Sequence, residues 1–362
     1  MRRRLTRREK RNRRKKAIIL STLCLLFVMT AGYAAFQTNL NITAKGNIKE
    51  LDSVIQSWEQ YSNEDFHTDY YRENIVSATF VNTNQVATNA TESWDVSEDE
   101  KGGVMAWVVP NNEDNTKYNL YIGAKGGVMA NEDSSWLFYN FKGIKTIDFN
   151  DNFDTSNVTN MSFMFNLCIN LNNVDVSGFD TSDVTNMNWM FGDTNLQILD
   201  VSSFHTEHLL YMYGTFSNID SLTELDISNF DTSNVTTMEN SFANFNGTSK
   251  LITLKLGNME TAKVTNMNNM FYGLNNLKEL NVGSFDTINV TSMISMFYDC
   301  SNLVELNLCS FNTKQVNNMV NMFANTSSLK NIYVGSNWST SQADTTHMFY
   351  NSGVSSVTTG QC

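Results

Sequence analysis

Apolar and polar positions repeat along residues 153–350 with a period of about 26 residues. Each repeat opens with a phrase of the form Phe-Asp-Thr-Ser-Asn-Val-Thr-Asn-Met, continues with Met-x-x-Met-Phe and ends with Leu-x-x-Leu-x-Val, with aliphatic exchanges. The opening residues are Phe153, Phe179, Phe204, Phe230, Met259, Phe285, Phe311 and Trp338, at steps of 26, 25, 26, 29, 26, 26 and 27 residues. Three landmarks in a fixed order at one period indicate an array of stacked repeats.

Two patterns inside each repeat predict secondary structure. In the first repeat Met161, Met164 and Phe165 are spaced i, i+3 and i+4, which predicts one buried face of a short helix. Val174 and Val176 alternate with a polar residue, which predicts a short strand with one buried face. The predicted fold class is therefore an α/β solenoid of leucine-rich-type repeats of about 26 residues, each with a short strand and a short helix, preceded by a β-rich N-terminal cap.

The same patterns divide the chain into segments. The predicted segments are a basic cytoplasmic flank (1–16), a signal peptide or transmembrane anchor (17–36), a juxtamembrane stalk (37–64), an N-terminal cap region (65–140), the repeat solenoid (141–354) and a C-terminal tail (355–362). A lone repeat buries too little apolar surface to offset the entropy of ordering it, so we expect stability to come from stacking.

Charge is segregated along the chain. Residues 1–34 carry 11 Lys and Arg and one acid, whereas the rest of the chain carries 14 basic and 36 acidic residues. A basic flank followed by an uncharged run over 17–36 is typical of an export signal or a membrane anchor. The small residues of Gly32-Tyr33-Ala34 would suit a signal peptidase, and about 20 apolar residues would also suffice to span a bilayer. The acidic remainder predicts that nucleic acid is not a partner.

The repeat phrase resembles that of the BspA-like leucine-rich repeat surface proteins of bacteria. The resemblance depends on the opening phrase, the Met-Phe pair and the Leu-x-x-Leu-x-Val segment, as at 153–176 and 285–308, and it covers about 140–350 closely. It implies an open solenoid, adhesion at the cell surface or binding of host proteins, and no catalytic residues.

Motifs for catalysis and cofactor binding do not stand out in the sequence. His205 and His208 could chelate a metal ion, but they occupy repeat positions where other repeats carry Asp or Asn, so a degenerate repeat explains them better. The sequence has no His-Glu-x-x-His, no Gly-x-Ser-x-Gly and no phosphate-binding loop. We therefore expect no enzymatic activity, no metal ion and no cofactor.

Two polar ladders follow from the stacking. The first follows the opening Phe, where we expect Asx turns and helix capping, with weak cation binding as an alternative. Its members are Asp154, Asp180, Asp231 and Asp286. The second lies on the outward side of the predicted strands, which is called here the strand face. We predict that the strand face binds a partner; the alternative is that it is only a soluble acidic surface. Its members are Asp148, Asp175, Asp200, Glu224, Asp226, Lys255, Glu279, Glu305 and Tyr333.

The cysteines do not form a disulfide framework. Cys168 and Cys300 hold the same repeat position five repeats apart, about 24 Å at strand spacing, which is beyond disulfide reach. They are predicted to be small buried residues, while Cys309 and Cys362 could pair only if the tail folds back.

The sequence predicts a protein of the bacterial cell surface, membrane-anchored or secreted, that binds an extracellular or host protein for adhesion. The alternative is a structural spacer array without a specific ligand. A cluster of exposed aromatic residues on one face would favour binding, and Tyr333, Trp338 and Tyr350 are a small candidate.

Overall fold

The computed structural model describes residues 53–362, and its regular elements are almost all strands. One 3₁₀ turn (Asp65–His67) and one short helix, α1 (Asp69–Asn74), precede the first strand. The strands are β1 (Ile75–Val81), β2 (Glu92–Asp95), β3 (Val104–Pro110), β4 (Tyr118–Ala124), β5 (Val128–Met129), β6 (Thr146–Asp148), β7 (Phe153–Asp154), β8 (Asn173–Val174), β9 (Glu224–Asp226), β10 (Thr253–Lys255), β11 (Glu305–Leu308), β12 (Asn331–Val334) and β13 (Thr358–Thr359).

Each repeat forms one coil of a stack, and the coils pair in parallel through the Met-x-x-Met-Phe segment. The backbone N–H groups of Met161, Phe163 and Phe165 donate to carbonyls of the next coil at 2.8–3.0 Å. A chain of parallel bridges runs through the whole stack at the residue before the first Met. Its members are Asp133, Asn160, Asn186, Tyr211, Thr237, Asn266, Ser292, Asn318 and Asp344.

The predicted helix in each repeat is wrong, because this segment is a run of tight turns. Met164 N–H donates to the Met161 carbonyl and Cys168 N–H to the Phe165 carbonyl, and the third residue of each turn, Phe163 or Leu167, has positive φ (58° and 62°). A left-handed residue ends a helix within a turn. The Asn, Ser and Thr residues around the methionines also compete for backbone hydrogen bonds, which disfavours helix. The fold is therefore not an α/β solenoid.

The apolar positions themselves are as expected, because successive tight turns also bring residues three apart to one side. Met161, Met164 and Phe165 are fully buried. The second Phe of each coil stacks on that of the next, at ring-centroid distances of 5.6–6.2 Å and interplanar angles of 4–19°. This ladder comprises Phe138, Phe165, Phe191, Phe216, Phe242, Phe271, Phe297, Phe323 and Phe349.

The Leu-x-x-Leu-x-Val segments form the other side of the coil. In β11 burial alternates, with Leu306 and Leu308 inside and Glu305 outside, and β11 pairs in parallel with β12. The segments at 196–201 and 277–282 adopt the same course without a regular strand, so the prediction of one strand per repeat holds only in part.

A buried threonine in the opening phrase ties each coil to the next. The Thr155 hydroxyl donates to the Asp180 carbonyl at 3.0 Å and accepts from the Asp180 N–H at 2.8 Å, and Thr181 does the same to His205. The threonines at this position, all 0–2% exposed, are Thr155, Thr181, Thr206, Thr232, Thr261, Thr287 and Thr313. The hydroxyl thus satisfies two backbone groups that turn geometry leaves unpaired.

The N-terminal part of the described chain continues the stack as a sheet in the order β2-β3-β4-β1-β6-β8. The antiparallel pairs β2-β3 and β3-β4 lead to β1, which pairs in parallel with β6 of the first coil. Behind this sheet Trp58, Phe66 and Phe141 surround His67, which is fully buried with Nε2 2.8 Å from the Leu137 carbonyl. Burial lowers the pKa of His67 to about 3, so the ring is neutral.

At the C-terminus the tail folds back. β13 pairs in parallel with β12, and Cys362 forms a disulfide with Cys309. Cys168 and Cys300 are free and fully buried, as predicted, and burial raises the pKa of both thiols.

The predicted flank (1–16), the predicted anchor (17–36) and the first part of the predicted stalk (37–52) lie outside the described residues. Among residues 53–362 no helix has the length and apolar character needed to cross a membrane.

Replacing Thr155 by Val should destabilise the stack, because the isosteric side chain leaves the N–H and C=O of Asp180 without partners. Each buried group so orphaned costs about 1–3 kcal/mol. The measurement is urea denaturation followed by far-UV circular dichroism. The neighbouring Ser156→Ala is the control, since Ser156 is exposed. Equal midpoints for the two variants would show that the hydroxyl does not hold the coils together.

Lowering the pH should destabilise the protein through His67. The unfolded chain binds a proton on this ring below about pH 6.5 and the folded chain only near 3, so stability falls as pH falls through this window, by about 2 kcal/mol at pH 5. We expect the drop in Tm between pH 7 and pH 5 to shrink in His67→Gln, whose amide can still donate to Leu137 but does not titrate. A drop of the same size in the variant would assign the effect to other groups.

Candidate binding surfaces

The predicted site residues all lie along the strand side of the coils. Asp148 is in β6, Glu224 and Asp226 are in β9, Lys255 is in β10 and Glu305 is in β11. Tyr333 lies in β12, whereas Asp175, Asp200 and Glu279 lie in coils without a regular strand at that point. Eight of the nine are exposed and Tyr333 is half-buried. The strand face therefore exists as a surface, and its role in binding stays a prediction.

The outward aspartates have a local structural role that explains why they recur. A carboxylate oxygen of Asp175, Asp200 or Asp226 accepts from the N–H two residues later, at Ser177, Ser202 and Ser228, at 2.9–3.0 Å. Hydrogen bonds from these serines hold the pKa of each aspartate below its usual value. These Asx turns end the strand segment. The period of the acids thus follows from the turn and does not by itself indicate a ligand.

Lys255 partly relieves the repulsion between carboxylates on the strand face. Its Nζ lies 2.6 Å from Glu224 and 3.3 Å from Asp226, on the adjacent strand. These two carboxylates raise the pKa of Lys255. Further along, the Tyr333 hydroxyl lies 3.4 Å from Glu305. Around Lys255 the face is therefore a mixed polar surface with paired charges.

The first polar ladder forms Asx turns but caps no helix, so half of that prediction is corrected. Asp154, Asp180 and Asp231 each accept from the N–H two residues later at 2.9–3.1 Å. His205 Nδ1 lies 3.7 Å from Glu207. In the described part of the chain no three His, Cys, Asp or Glu side chains come together to hold a metal ion.

Sequence reasoning missed a row of aromatic side chains along the Met-x-x-Met-Phe side, called here the aromatic turn face. Phe245 and Tyr350 are exposed and the other members are half-buried. The members are Trp136, Tyr139, Phe163, Trp189, Tyr213, Phe245, Tyr272, Tyr298 and Tyr350. Of the three aromatic residues expected to cluster, only Tyr350 is on this face, since Tyr333 is in β12 and Trp338 packs against the core.

The rings of the aromatic turn face contact one another from coil to coil. Trp136 and Phe163 stack at a centroid distance of 3.9 Å, and Tyr272 and Tyr298 stack at 4.7 Å. Phe245, in the 29-residue repeat, lies 4.9 Å from Tyr272. The signal was present in the sequence, because Phe163 and Trp189 directly precede a repeat Met, and Tyr272 and Tyr298 directly follow a repeat Phe.

Two glycines, which lack a Cβ, leave the space that the indole ring of Trp189 occupies. A Cβ on Gly192 or on Gly214 would lie 2.5 Å from the indole ring, so the ring lies against the backbone of its own coil and of the next. Tyr213 stands beside it, at 5.7 Å and an interplanar angle of 76°. Trp189 is half-buried in this position, so part of its indole stays accessible to solvent.

Polar side chains beside Trp189 are neutral amides and a phenol. Asn188 Oδ1 accepts from the Tyr213 N–H at 2.7 Å, and Asn240 Nδ2 donates to Tyr213 Oη at 3.2 Å. The nearest acids on this side, Asp193 and Glu239, each accept from asparagine amides, and burial raises the pKa of both.

The hollows between the coils do not resemble an enclosed active site. The one lined by Phe216, Leu222 and Phe242 holds about 10 Å³, enough for a water molecule at most. A larger groove of about 740 Å³, lined by Asp231, Glu260 and Asn281 among others, is open to solvent.

Gly214→Ala should dislodge Trp189 in addition to straining the backbone. Gly214 and Gly247 both have positive φ (62° and 69°), but a Cβ on Gly247 meets nothing within 4 Å. Both alanines incur the left-handed penalty of about 1–2 kcal/mol, so Gly247→Ala is a matched control. We expect Gly214→Ala alone to change the tryptophan fluorescence and to give the lower Tm. Identical behaviour of the two variants would contradict the packing of the indole on Gly214.

A family model matches this chain twice, over residues 132–254 and 243–359, which together span more than half of its length. No leucine-rich repeat or BspA-like model matches, so the resemblance inferred from the repeat phrase is wrong; the shared apolar spacing arises here from turns. No curated protein matches the chain. The chain belongs to the family described as Mycoplasma protein of unknown function, DUF285.

Proposed function

We propose that this protein is a binding module of the bacterial cell surface, which adheres to an extracellular or host protein through the aromatic turn face. The observation that supports this is a row of nine aromatic side chains, each partly open to solvent, on a stack of paired coils. Tyr and Trp combine a large apolar contact area with a polar group, and they are enriched among the residues that dominate binding energy.

Backbone conformation supports the same assignment. Trp136, Phe163 and Trp189 have φ between 55° and 65°, a conformation that Asn240, Asn269 and Asn321 adopt at the equivalent position of other coils. Asn tolerates the left-handed region better than a bulky aromatic residue does. Strain concentrated at three half-buried rings that remain partly open to solvent is the pattern expected where a side chain is kept for function.

An extracellular location fits the cysteines and the sequence of the N-terminus. The Cys309–Cys362 disulfide suits an oxidising environment, whereas the free thiols are buried where oxidants do not reach them. The basic flank and the apolar run over 17–36 provide the export signal or anchor in this proposal.

The proposal assigns no catalytic role to the chain and no nucleic acid as partner. The large groove is open to solvent, and its Asp231 carboxylate is engaged in a turn with Ser233. The excess of acidic over basic residues outside the N-terminus opposes contact with phosphate backbones.

Binding of the full-length protein to a panel of extracellular matrix and serum proteins, measured by surface plasmon resonance, tests the proposal. We expect saturable binding that falls at least tenfold in Tyr272→Ser/Tyr298→Ser. The control is Glu279→Gln/Glu305→Gln, which changes the strand face without touching the Asx turns, and it should bind as the unaltered protein does.

Loss of binding in the Glu variant alone would move the site to the strand face. Absence of binding across the panel would contradict the proposal and favour the spacer array.

A further inference from the structure

We infer that Trp189, Tyr213 and Asn188 form a subsite for an uncharged sugar ring, so that the partner is recognised through a neutral glycan; this inference rests on the proposed function of the aromatic turn face. The three residues come from two adjacent coils that are joined by the Asn188–Tyr213 hydrogen bond.

In the subsite the Trp189 ring forms a flat surface, and the Tyr213 ring stands beside it at a steep angle. The indole of Trp189 lies against Gly192 and Gly214 of two adjacent coils, and the side chain is half-buried, so part of the ring is accessible. The ring of Tyr213 stands nearly at right angles to it. The C–H groups on one side of a pyranose carry slight positive charge, and the face of an aromatic ring carries negative charge. A flat ring with a perpendicular neighbour therefore suits a sugar that lies on the indole.

Hydrogen-bond donors at the subsite are neutral, and Tyr213 Oη and Asn188 Oδ1 act as acceptors in their hydrogen bonds within the protein. Tyr213 Oη accepts from Asn240 Nδ2, so the phenolic proton is left to donate to a ligand. Asn188 uses its amide oxygen on the Tyr213 N–H, which leaves its NH₂ group to donate to a ligand. Hydroxyl and ring oxygens of a sugar are the matching acceptors.

Charge distinguishes a neutral glycan from an anionic one. The residues beside the repeat Met and Phe that make up this side of the coils, between Ser134 and Asn351, include acids at Asp193, Glu239 and Asp299 but neither Lys nor Arg. Sulfated glycans, phosphates and nucleic acids would meet only repulsion there. The coils repeat at strand spacing, about 4.8 Å, so successive coils present aromatic and amide groups at intervals that suit consecutive sugars of an extended chain.

Binding of the full-length protein to an array of immobilised glycans tests the inference. The array carries neutral linear oligosaccharides (glucan and chitin types), neutral high-mannose N-glycans and, as the anionic comparison, heparin. We expect saturable binding to a neutral glycan and none to heparin. The first type of probe represents free polysaccharide and the second represents glycoprotein, so the array also separates these two sources.

Three variants separate recognition from folding. Trp189→Ala should weaken glycan binding at least tenfold, and Tyr213→Phe, which keeps the ring and removes only the hydroxyl, should weaken it about 3- to 10-fold. Tyr61→Phe removes the hydroxyl of a tyrosine that is 80% exposed and precedes the repeats in the sequence, and it should leave binding unchanged. Tm and far-UV circular dichroism of each variant show whether it folds, and Tyr213→Phe decides the outcome if Trp189→Ala does not.

The inference is overturned if no neutral glycan binds, if heparin binds best, or if Tyr213→Phe binds as tightly as Tyr61→Phe. Its failure is distinguishable from failure of the proposed function. If a protein of the matrix and serum panel binds equally well after enzymatic removal of its glycans, the adhesion proposal stands and the glycan subsite does not.

Discussion

Hydrogen bonding between consecutive coils is the constraint on which the rest of this structure depends. A coil built from tight turns leaves many backbone groups without partners inside its own repeat, and buried groups of this kind must be paired. The stack meets this demand with the parallel bridges that begin at Asp133 and end at Asp344, and with the buried threonine of each opening phrase. The coil spacing that results also sets the stacking of the Phe ladder, so backbone pairing and core packing are satisfied together.

This constraint explains which polar side chains of the repeat are needed for the fold. Asp, Thr and Asn of the repeat phrase are used to close turns or to reach the next coil, as at Asp154 and Thr155, and the outward Asp175 closes a turn as well. Their regular recurrence is therefore explained by the fold and does not by itself indicate a function. Residues that vary between coils while the frame stays constant carry the information about function, and on the Met-x-x-Met-Phe side those residues are rings such as Trp189, Phe245 and Tyr272.

The sequence allowed the array, its period and its buried positions to be predicted, because these depend only on which side chains leave water. Met161, Phe165 and Val174 are buried as expected. The helix could not be distinguished from a run of turns, since both place residues three apart on one side. The decisive feature is the positive φ at Phe163 and Leu167, at residue types that rarely adopt it. The outward direction of Asp175 was also predictable, but its bond to Ser177 N–H was not, and this bond makes Asp175 a poor choice for testing binding.

The irregular repeat shows how a change in the frame alters the surface. Trp136, Phe163 and Trp189, before it, sit at the left-handed position, whereas Tyr272 and Tyr298, after it, directly follow the repeat Phe, as Tyr139 does at the start of the stack. In this repeat Phe245 is exposed where Ile219 and Leu274 of the neighbouring coils are buried; its ring lies against Tyr272, and the adjacent Asn246 donates to Asp220 of the preceding coil at 3.0 Å. The core tolerates the insertion with a cavity of only about 10 Å³. The Met238 N–H still donates to the Asn266 carbonyl of the next coil. The insertion therefore changes the exposed side chains, while the stack beneath them remains continuous. A frame that absorbs local insertions in this way can change its exposed surface without losing its fold.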